Sequence, residues 1–287
     1  MESIKAIVMA PSGYGKTGAL ASLLSAGYNL YVLDFDNGIR SLRENTKRDC
    51  YAKDSLSRLH WATITEPMRI SGGKIVPAKA TVWPRAVALL EHWKWEDPEQ
   101  GGEVDFGKPS EWGDKDVLVV DTLSKASVAA LNYHLAMNGR LGGTQTGNEY
   151  RRDIGAAQGF IDTLMQFLFD SSIKCNVIIN THVVYSKEDG TMPAQDEQGA
   201  MLFGFPKAIG RAAGPNIPTY FNDILMLRKQ GSTSKLCTRN QVQFGLKSCA
   251  PMRVKAEYPL ESGLADYFAD VRKGEPESAS TSTTASA

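Results

Sequence analysis

The sequence has no long apolar run, no paired cysteines, few histidines and no excess charge of either sign, and each lack removes a class of function. Nowhere do apolar residues approach the roughly 18 in succession that a membrane span needs, so no membrane partner is expected. The first twenty residues hold Gly13, Gly15 and Lys16 where the apolar stretch of a signal peptide would lie, and the chain reads as soluble and cytoplasmic. Cys50, Cys175, Cys237 and Cys249 are scattered without a C-x-x-C pair. That spacing excludes a zinc ribbon or a disulfide frame and fits idle thiols in a reducing compartment. Thirty-two basic residues balance thirty-two acidic ones, so only the distribution of charge can point to a partner.

What is present is an alternation of apolar runs and helical spacings. A chain of 287 residues, 42% hydrophobic, is long enough for one large α/β domain, expected over residues 1–273. Lys5–Met9 reads as a strand, passing through Gly-rich sequence into a helix over 16–26. Strands are expected over 30–35, 59–65, 117–120 and 176–180, the last two apolar on both faces. Helices are expected over 83–95, 124–137, 150–170, 206–213 and 259–272, with a β-hairpin over 221–227 and 235–238 around 231–234. Residues 96–114 are acidic and Gly-rich, 186–198 form a loop of low apolar content, and the Ser/Thr/Ala-rich tail 274–287 is expected to be disordered. The whole predicts a mostly parallel sheet flanked by helices, with a C-terminal β-hairpin.

The segment Ala10-Pro11-Ser12-Gly13-Tyr14-Gly15-Lys16-Thr17 matches the phosphate-loop pattern G-x-x-x-x-G-K-[ST] with Ala at the first position. Gly13 and Gly15 let the backbone curl so that its N–H groups point inward at a helix N-terminus, where they cradle phosphate oxygens. Lys16 then reaches the β- and γ-phosphates, and the Thr17 hydroxyl coordinates magnesium. With Gly18, which opens the following helix, residues 10–18 are the expected nucleotide-binding set, for ATP with Mg2+.

A phosphate loop needs an acidic partner at the end of a neighbouring strand. Val117-Leu118-Val119-Val120-Asp121 supplies one, so Thr17 and Asp121 form the expected metal pair. Hydrolysis also needs a group to take the proton of the attacking water, and Asp36, at the end of its strand, is best placed. Asp34, two residues earlier, reads as a buried structural carboxylate. The run Asn176-Val177-Ile178-Ile179-Asn180-Thr181-His182 ends a core strand on polar groups, where the carboxyl ends of an open sheet line a nucleotide cleft. His182 and Thr181 are candidates to sense the γ-phosphate there, His182 standing with Lys16 and Asp36 in the catalytic set. No partner is visible for His60, His92 or His134.

In this order of parts the chain resembles the RecA-like P-loop ATPases, and most closely the small phage-encoded members that include ATP-dependent single-strand annealing proteins. Ala10–Thr17 corresponds to Walker A, Leu33-Asp34-Phe35-Asp36 to the strand bearing the catalytic carboxylate, Val117–Asp121 to Walker B and Ile179–His182 to the sensor strand. RecA itself carries Glu and Gln where this chain has Asp36 and His182. The stretches Gly204-Phe205-Pro206-Lys207-Ala208-Ile209-Gly210 and Pro218-Thr219-Tyr220-Phe221-Asn222 also look like the small phage group. The resemblance covers residues 3–240 and implies a Mg-dependent ATPase acting in recombination, annealing or repair on single-stranded DNA. It further implies a homo-oligomer, ring or filament, assisted by a single-strand-binding protein.

The resemblance also implies that two loops, 138–148 and 183–205, face DNA. The first carries Arg140, followed by Arg151 and Arg152. The second holds Glu188, Asp189, Asp196 and Glu197, which repel phosphate. Between Lys207 and Lys255 the basic residues Arg211, Arg228, Lys229, Lys235, Arg239, Lys247 and Arg253 meet only Asp223. That portion reads either as a surface for an anionic strand, with Tyr220, Phe221 and Phe244 for base stacking, or as solvated charge over core aromatics. Arg228, Lys229 and Arg239 are candidates for a basic finger reaching a neighbour's nucleotide. Two rival functions stand beside the DNA role: a slow, nucleotide-switched loader or assembly factor with a protein partner, and a small-molecule kinase, disfavoured by the lack of an Arg-rich lid.

Overall fold

In the computed structural model, the structure describes residues 2–97, 101–143, 147–187, 201–210, 212–239 and 243–274. The expected tail, the four acids of the second loop and Arg211 lie outside the described residues. The chain opens with β1 (Lys5–Met9), α1 (Lys16–Ala19), α2 (Ala21–Ser25), β2 (Asn29–Asp34), α3 (Ile39–Thr46) and β3 (Leu59–Thr63). Two small hairpins, β4 (Met68–Ser71) with β5 (Lys74–Pro77) and β6 (Lys94–Asp97) with β7 (Gly102–Asp105), flank α4 (Val82–Glu91). Then come β8 (Asp116–Asp121), α5 (Leu123–Met137), α6 (Gly147–Phe169), β9 (Asn176–Thr181), β10 (Val183–Ser186), β11 (Phe203–Pro206) and α7 (Ala213–Asn216). The chain continues through β12 (Asp223–Gln230), β13 (Thr233–Cys237), β14 (Glu257–Pro259) and α8 (Gly263–Arg272).

Eight strands form one sheet in the order β14-β13-β12-β1-β9-β8-β2-β3. From β12 to β3 neighbouring strands run parallel, while β13 and β14 add an antiparallel edge. This is the mostly parallel, helix-flanked sheet expected, with β9 inserted between the strand that feeds the Gly-rich loop and the strand that ends on Asp121. The C-terminal hairpin is β12–β13, as its apolar runs predict.

Alternate residues of the central strands serve opposite faces. Ile7 and Met9 join a core that includes Trp83, Leu89, Leu131, Met165 and Leu168 of the helices α4, α5 and α6. Ala6 and Val8 join a second core with Leu20, Leu23, Leu24, Leu42, Tyr267 and Phe268, from α1 to α3 and α8. Burial on both faces explains why β1, β8 and β9 are continuous apolar runs. Each fully buried Leu, Ile or Val contributes about 1.5–3 kcal/mol of transfer free energy, so both faces hold the sheet rigid beneath its carboxyl edge.

The expected elements shift in three places for identifiable reasons. The helix after the Gly-rich loop is broken at Leu20, where the Ser22 hydroxyl bonds back to the Ala19 carbonyl at 2.9 Å and the Leu23 amide reaches Leu20. A Ser bonding its preceding turn tightens a helix in this way. The helix expected over 206–213 is instead β11, a loop and α7. Gly210 takes φ 75°, and a Cβ there would lie 2.3 Å from Gln158 Nε2, so the chain passes too close to α6 for a helix. The helix expected over 83–95 is α4, which ends at Glu91; its buried stripe is Val82, Trp83, Ala86, Leu89 and Leu90, and Val87 is exposed.

Candidate nucleotide site

The residues singled out from sequence meet at the carboxyl ends of β1, β2, β8 and β9. Gly13 and Gly15 have φ 78° and 92°, left-handed values that favour glycine, and they turn the loop from β1 back into α1. Gly15 also lies under the Leu260 side chain, where a Cβ would come within 3.1 Å. Gly18 faces Asn45 of α3, a Cβ there lying 3.0 Å from the Asn45 amide nitrogen, which lets α1 and α3 pack closely. Ser12 is exposed and Tyr14 half-buried.

Lys16 is buried and folds back over its own loop. Its Nζ donates to the carbonyls of Ala10 at 3.0 Å and Pro11 at 3.1 Å and lies 3.2 Å from His182 Nδ1. Burial lowers its pKa, while Asp121 and Asp36 pull it back up. An ammonium can only donate, so Nδ1 of His182 accepts and the imidazole proton is assigned to Nε2. Nε2 faces Asp36 Oδ2 at 3.8 Å. Burial first, then the charges of Lys16, Lys207 and Lys125, lower the pKa of His182 against the pull of Asp36, so the ring is neutral at pH 7.

Thr17 donates to Asp121 Oδ2 at 2.6 Å, bringing together the two groups expected to hold a metal. Asp121 is 1% exposed, and its pKa is pushed up to about 6, by burial above all and next by Asp34 and Asp36 against the favourable Thr17 bond. The Asn180 amide lies near enough to favour its charged form, although neither Asn180 side-chain atom makes a well-formed hydrogen bond. Asp121 Oδ1, Thr122 Oγ1, and Oδ1 and Nδ2 of Asn180 are buried without partners. Such a concentration of unsatisfied polar atoms is rare in a core. Hard oxygen donors with one carboxylate suit Mg2+, which keeps waters and phosphate oxygens as its other ligands. The donor set therefore fits a magnesium nucleotide, with Thr17 and Asp121 as the residues that would hold the ion.

Asp34 and Asp36 separate as their sequence positions imply. Asp34 is 1% exposed and accepts from the backbone N–H groups of Asp36, Gly38 and Ile39 and from the Thr63 hydroxyl. It shapes the turn into α3. Asp36, by contrast, opens onto the cleft between His182 and Lys125, whose Nζ is 4.0 Å from Asp36 Oδ1.

Sequence reasoning missed Ser124. Its hydroxyl donates to the Lys207 carbonyl at 3.0 Å, accepts from the His182 amide at 3.2 Å, and lies 3.3 Å from the Thr181 hydroxyl. Thr181 also donates to the Lys207 carbonyl, and the Lys207 amide donates to the His182 carbonyl. Both ends of the β10–β11 hairpin are thus pinned to the end of β9. The only sequence signal was position, three residues beyond Asp121.

Of the second expected DNA-facing loop, 183–205, the hairpin strands are among the described residues, and residues 188–200 lie outside them. A cavity of about 720 Å3 lies between the start of α6 and β10–β11, lined among others by Tyr150, Arg151, Gln158, Val184, Phe205 and Lys207. Arg140 is not available there. It grips the buried carboxylate of Asp153 through both terminal nitrogens at 2.9 and 2.5 Å, and His134 Nε2 lies 3.1 Å from the same carboxylate. His134 therefore has the partners that sequence alone did not reveal, as does His92, 2.6 Å from Asp105. His60 stacks on Tyr31. Of the two readings of the aromatics, the structure bears out core packing: Phe221 and Phe244 are buried in the core and Tyr220 packs against it.

Comparison with protein-family models and with curated proteins returns no match. Among solved structures, the chain is similar to a crystal structure of the RadB recombinase, with 16% identity and TM-score 0.38, covering 84% of this chain and 83% of that one. It is also similar to an ATPase from the type III secretion system of pathogenic bacteria, with 12% identity and TM-score 0.41 over 79% of this chain and 53% of that one. Among the described residues no helix is long and apolar enough to cross a membrane.

Proposed function

We propose that the chain binds ATP with Mg2+ through residues 10–18 and Asp121, hydrolyses it, and uses that cycle on single-stranded DNA in recombination, annealing or repair. The observation that carries the nucleotide reading is convergence. Lys16, the Thr17–Asp121 pair, His182 and Asp36 come from four separate strand ends and meet in one cleft, with orphaned polar atoms beneath them.

In this reading the loop amides and Lys16 hold the β- and γ-phosphates. Lys16 exchanges its bonds to the Ala10 and Pro11 carbonyls for phosphate oxygens, and neutral His182 stays at its side. The bound magnesium neutralises phosphate charge. Asp36 takes a proton from the attacking water as its oxygen bonds to the γ-phosphorus and the bond to the bridging oxygen breaks, leaving ADP and phosphate. In this reading single-stranded DNA lies in the 720 Å3 cavity, with Arg151 and Lys207 for phosphates, and the Ser124-pinned hairpin carries the nucleotide signal to it. Self-assembly of the chain into a ring or filament belongs to the same reading.

The test is ATP hydrolysis with and without single-stranded DNA, beside Lys16→Ala. DNA-stimulated turnover that the variant loses is the expected result. Unchanged ATP affinity in Lys16→Ala would remove the phosphate-loop assignment. Slow turnover indifferent to DNA would favour a nucleotide-switched loader acting on a protein.

A further inference from the structure

A phosphoryl-transfer site needs positive charge beyond the phosphate loop and its ion, and in many ATPases a neighbouring subunit inserts it. Arg228, Lys229 and Arg239 are the cations that sequence offered for that task in a neighbour's site; Arg228 and Lys229 line a small recess of about 120 Å3 with Gln230, Lys235 and Glu257, on the β12–β13 edge of the sheet. A further cation, beside the candidate base, belongs to the same chain.

We propose that Lys125 acts in cis as the cation that stabilises charge developing on the γ-phosphate, so that one copy of the chain carries a complete hydrolytic site. The proposal rests on the ATPase reading above. Four side chains run in sequence from the phosphate loop: Lys16 Nζ to His182 Nδ1 at 3.2 Å, His182 Nε2 to Asp36 Oδ2 at 3.8 Å, and Asp36 Oδ1 to Lys125 Nζ at 4.0 Å. Lys16 marks the β- and γ-phosphates by the chemistry of its loop, and Asp36 marks the attacking water. Lys125 lies at the far end of that line, beside Asp36 and near enough for its charge to be felt by His182.

Its backbone is firmly placed. The Lys125 amide bonds the Thr122 carbonyl in the first turn of α5, and the flanking Ser124 and Ala126 are buried. The side chain itself is 57% exposed, with its long contact to Asp36 the one ion pair it makes among the described residues. A 4.0 Å pair open to solvent is weak, so Lys125 can turn from Asp36 to a phosphate oxygen at small cost. In the step itself the water oxygen bonds to the γ-phosphorus, its proton passes to Asp36, and the bridging-bond electrons leave with ADP. Lys125 transfers nothing; it offsets negative charge on the equatorial oxygens.

Full-length Lys125→Met and Lys125→Arg separate this role from folding and from nucleotide binding. Lys125→Met is expected to bind ATP within about twofold of wild type, by calorimetry, yet to turn over about 30-fold more slowly, below the usual loss for a buried donor because the site is open to water. Its affinity for ADP with aluminium fluoride, a mimic of the transferring phosphoryl group, falls by a similar factor, while ADP alone binds as before. Lys125→Arg restores most of both losses. Mixing Lys125→Met with Lys16→Ala gives no more turnover than the two separately. Recovery on mixing would overturn the proposal by showing that Lys125 serves a neighbour's site, as would unchanged turnover in Lys125→Met. A wild-type chain that fails to bind ATP would instead remove the ATPase reading itself.

Discussion

Replacing Asp121 by asparagine should make the folded chain more stable while removing the carboxylate proposed to hold magnesium. Asp121 lies 1% exposed beneath the cleft, its ordinary value of 3.8 raised to about 6, chiefly by burial. A raised carboxylate binds its proton more tightly folded than unfolded, so it opposes folding increasingly as pH rises from about 3.8 through 6. At pH 8 the full difference of about 2 pH units costs roughly 3 kcal/mol, and at pH 5 about half of that. Asparagine carries no such cost and still accepts the Thr17 hydroxyl. For a chain of this length about 1 kcal/mol moves the melting temperature by roughly 2 °C. Asp121→Asn is therefore expected to melt about 6 °C above wild type at pH 8 and about 3 °C above it at pH 5. Thermal denaturation at both values checks this, repeated with magnesium and ATP, which should stabilise wild type more than the variant. A variant that melts lower at pH 8, or a difference independent of pH, would refute the picture of Asp121 as a buried charge waiting for a cation.

Three further outcomes follow from other contacts. Asp36→Asn should keep ATP affinity within about twofold and lose at least about 100-fold in turnover; normal hydrolysis in single-turnover assays would remove Asp36 as the base. Asp153→Ala strands Arg140 and His134 at a buried position, and urea unfolding should show a loss of about 2 kcal/mol, toward the low end for broken buried pairs because Arg140 is 37% exposed. An unchanged midpoint would show that the cluster does not hold the loop after α5. Gly204→Ala would place a methyl 1.9 Å from the Phe244 ring, expelling that ring from its packing at about 1–3 kcal/mol, visible as a lowered melting temperature.

The parts of the molecule readable from sequence are those whose physics is local. The run from Val117 to Asp121 is apolar because both faces of β8 are covered, and a carboxylate at the end of such a strand has few other places to point. The Gly-rich loop is likewise announced by residues that must take left-handed backbone. The hairpins β4–β5 and β6–β7 were not readable, since β4 is exposed along its whole length and so shows no alternation. Asp153 gave no sign of its role because its partners, His134 and Arg140, lie 19 and 13 residues away and meet it only when α5 packs on α6. The misread helix over 206–213 failed for a similar reason: the close approach of Gly210 to Gln158 is a fact of tertiary packing.

The hydroxyl of Ser124, shared between the end of β9 and the exit of the β10–β11 hairpin, joins two surfaces that the Thr181 and Lys207 bonds also tie together. In the function proposed here, a change on the phosphate side would reach the cavity wall through this hydrogen-bond network. The traffic runs both ways. Linkage is symmetric in binding free energy, so any molecule that seats against that hairpin and depends on the nucleotide must alter nucleotide affinity by the same factor. Nucleotide affinity is then itself a gauge of what occupies the opposite surface.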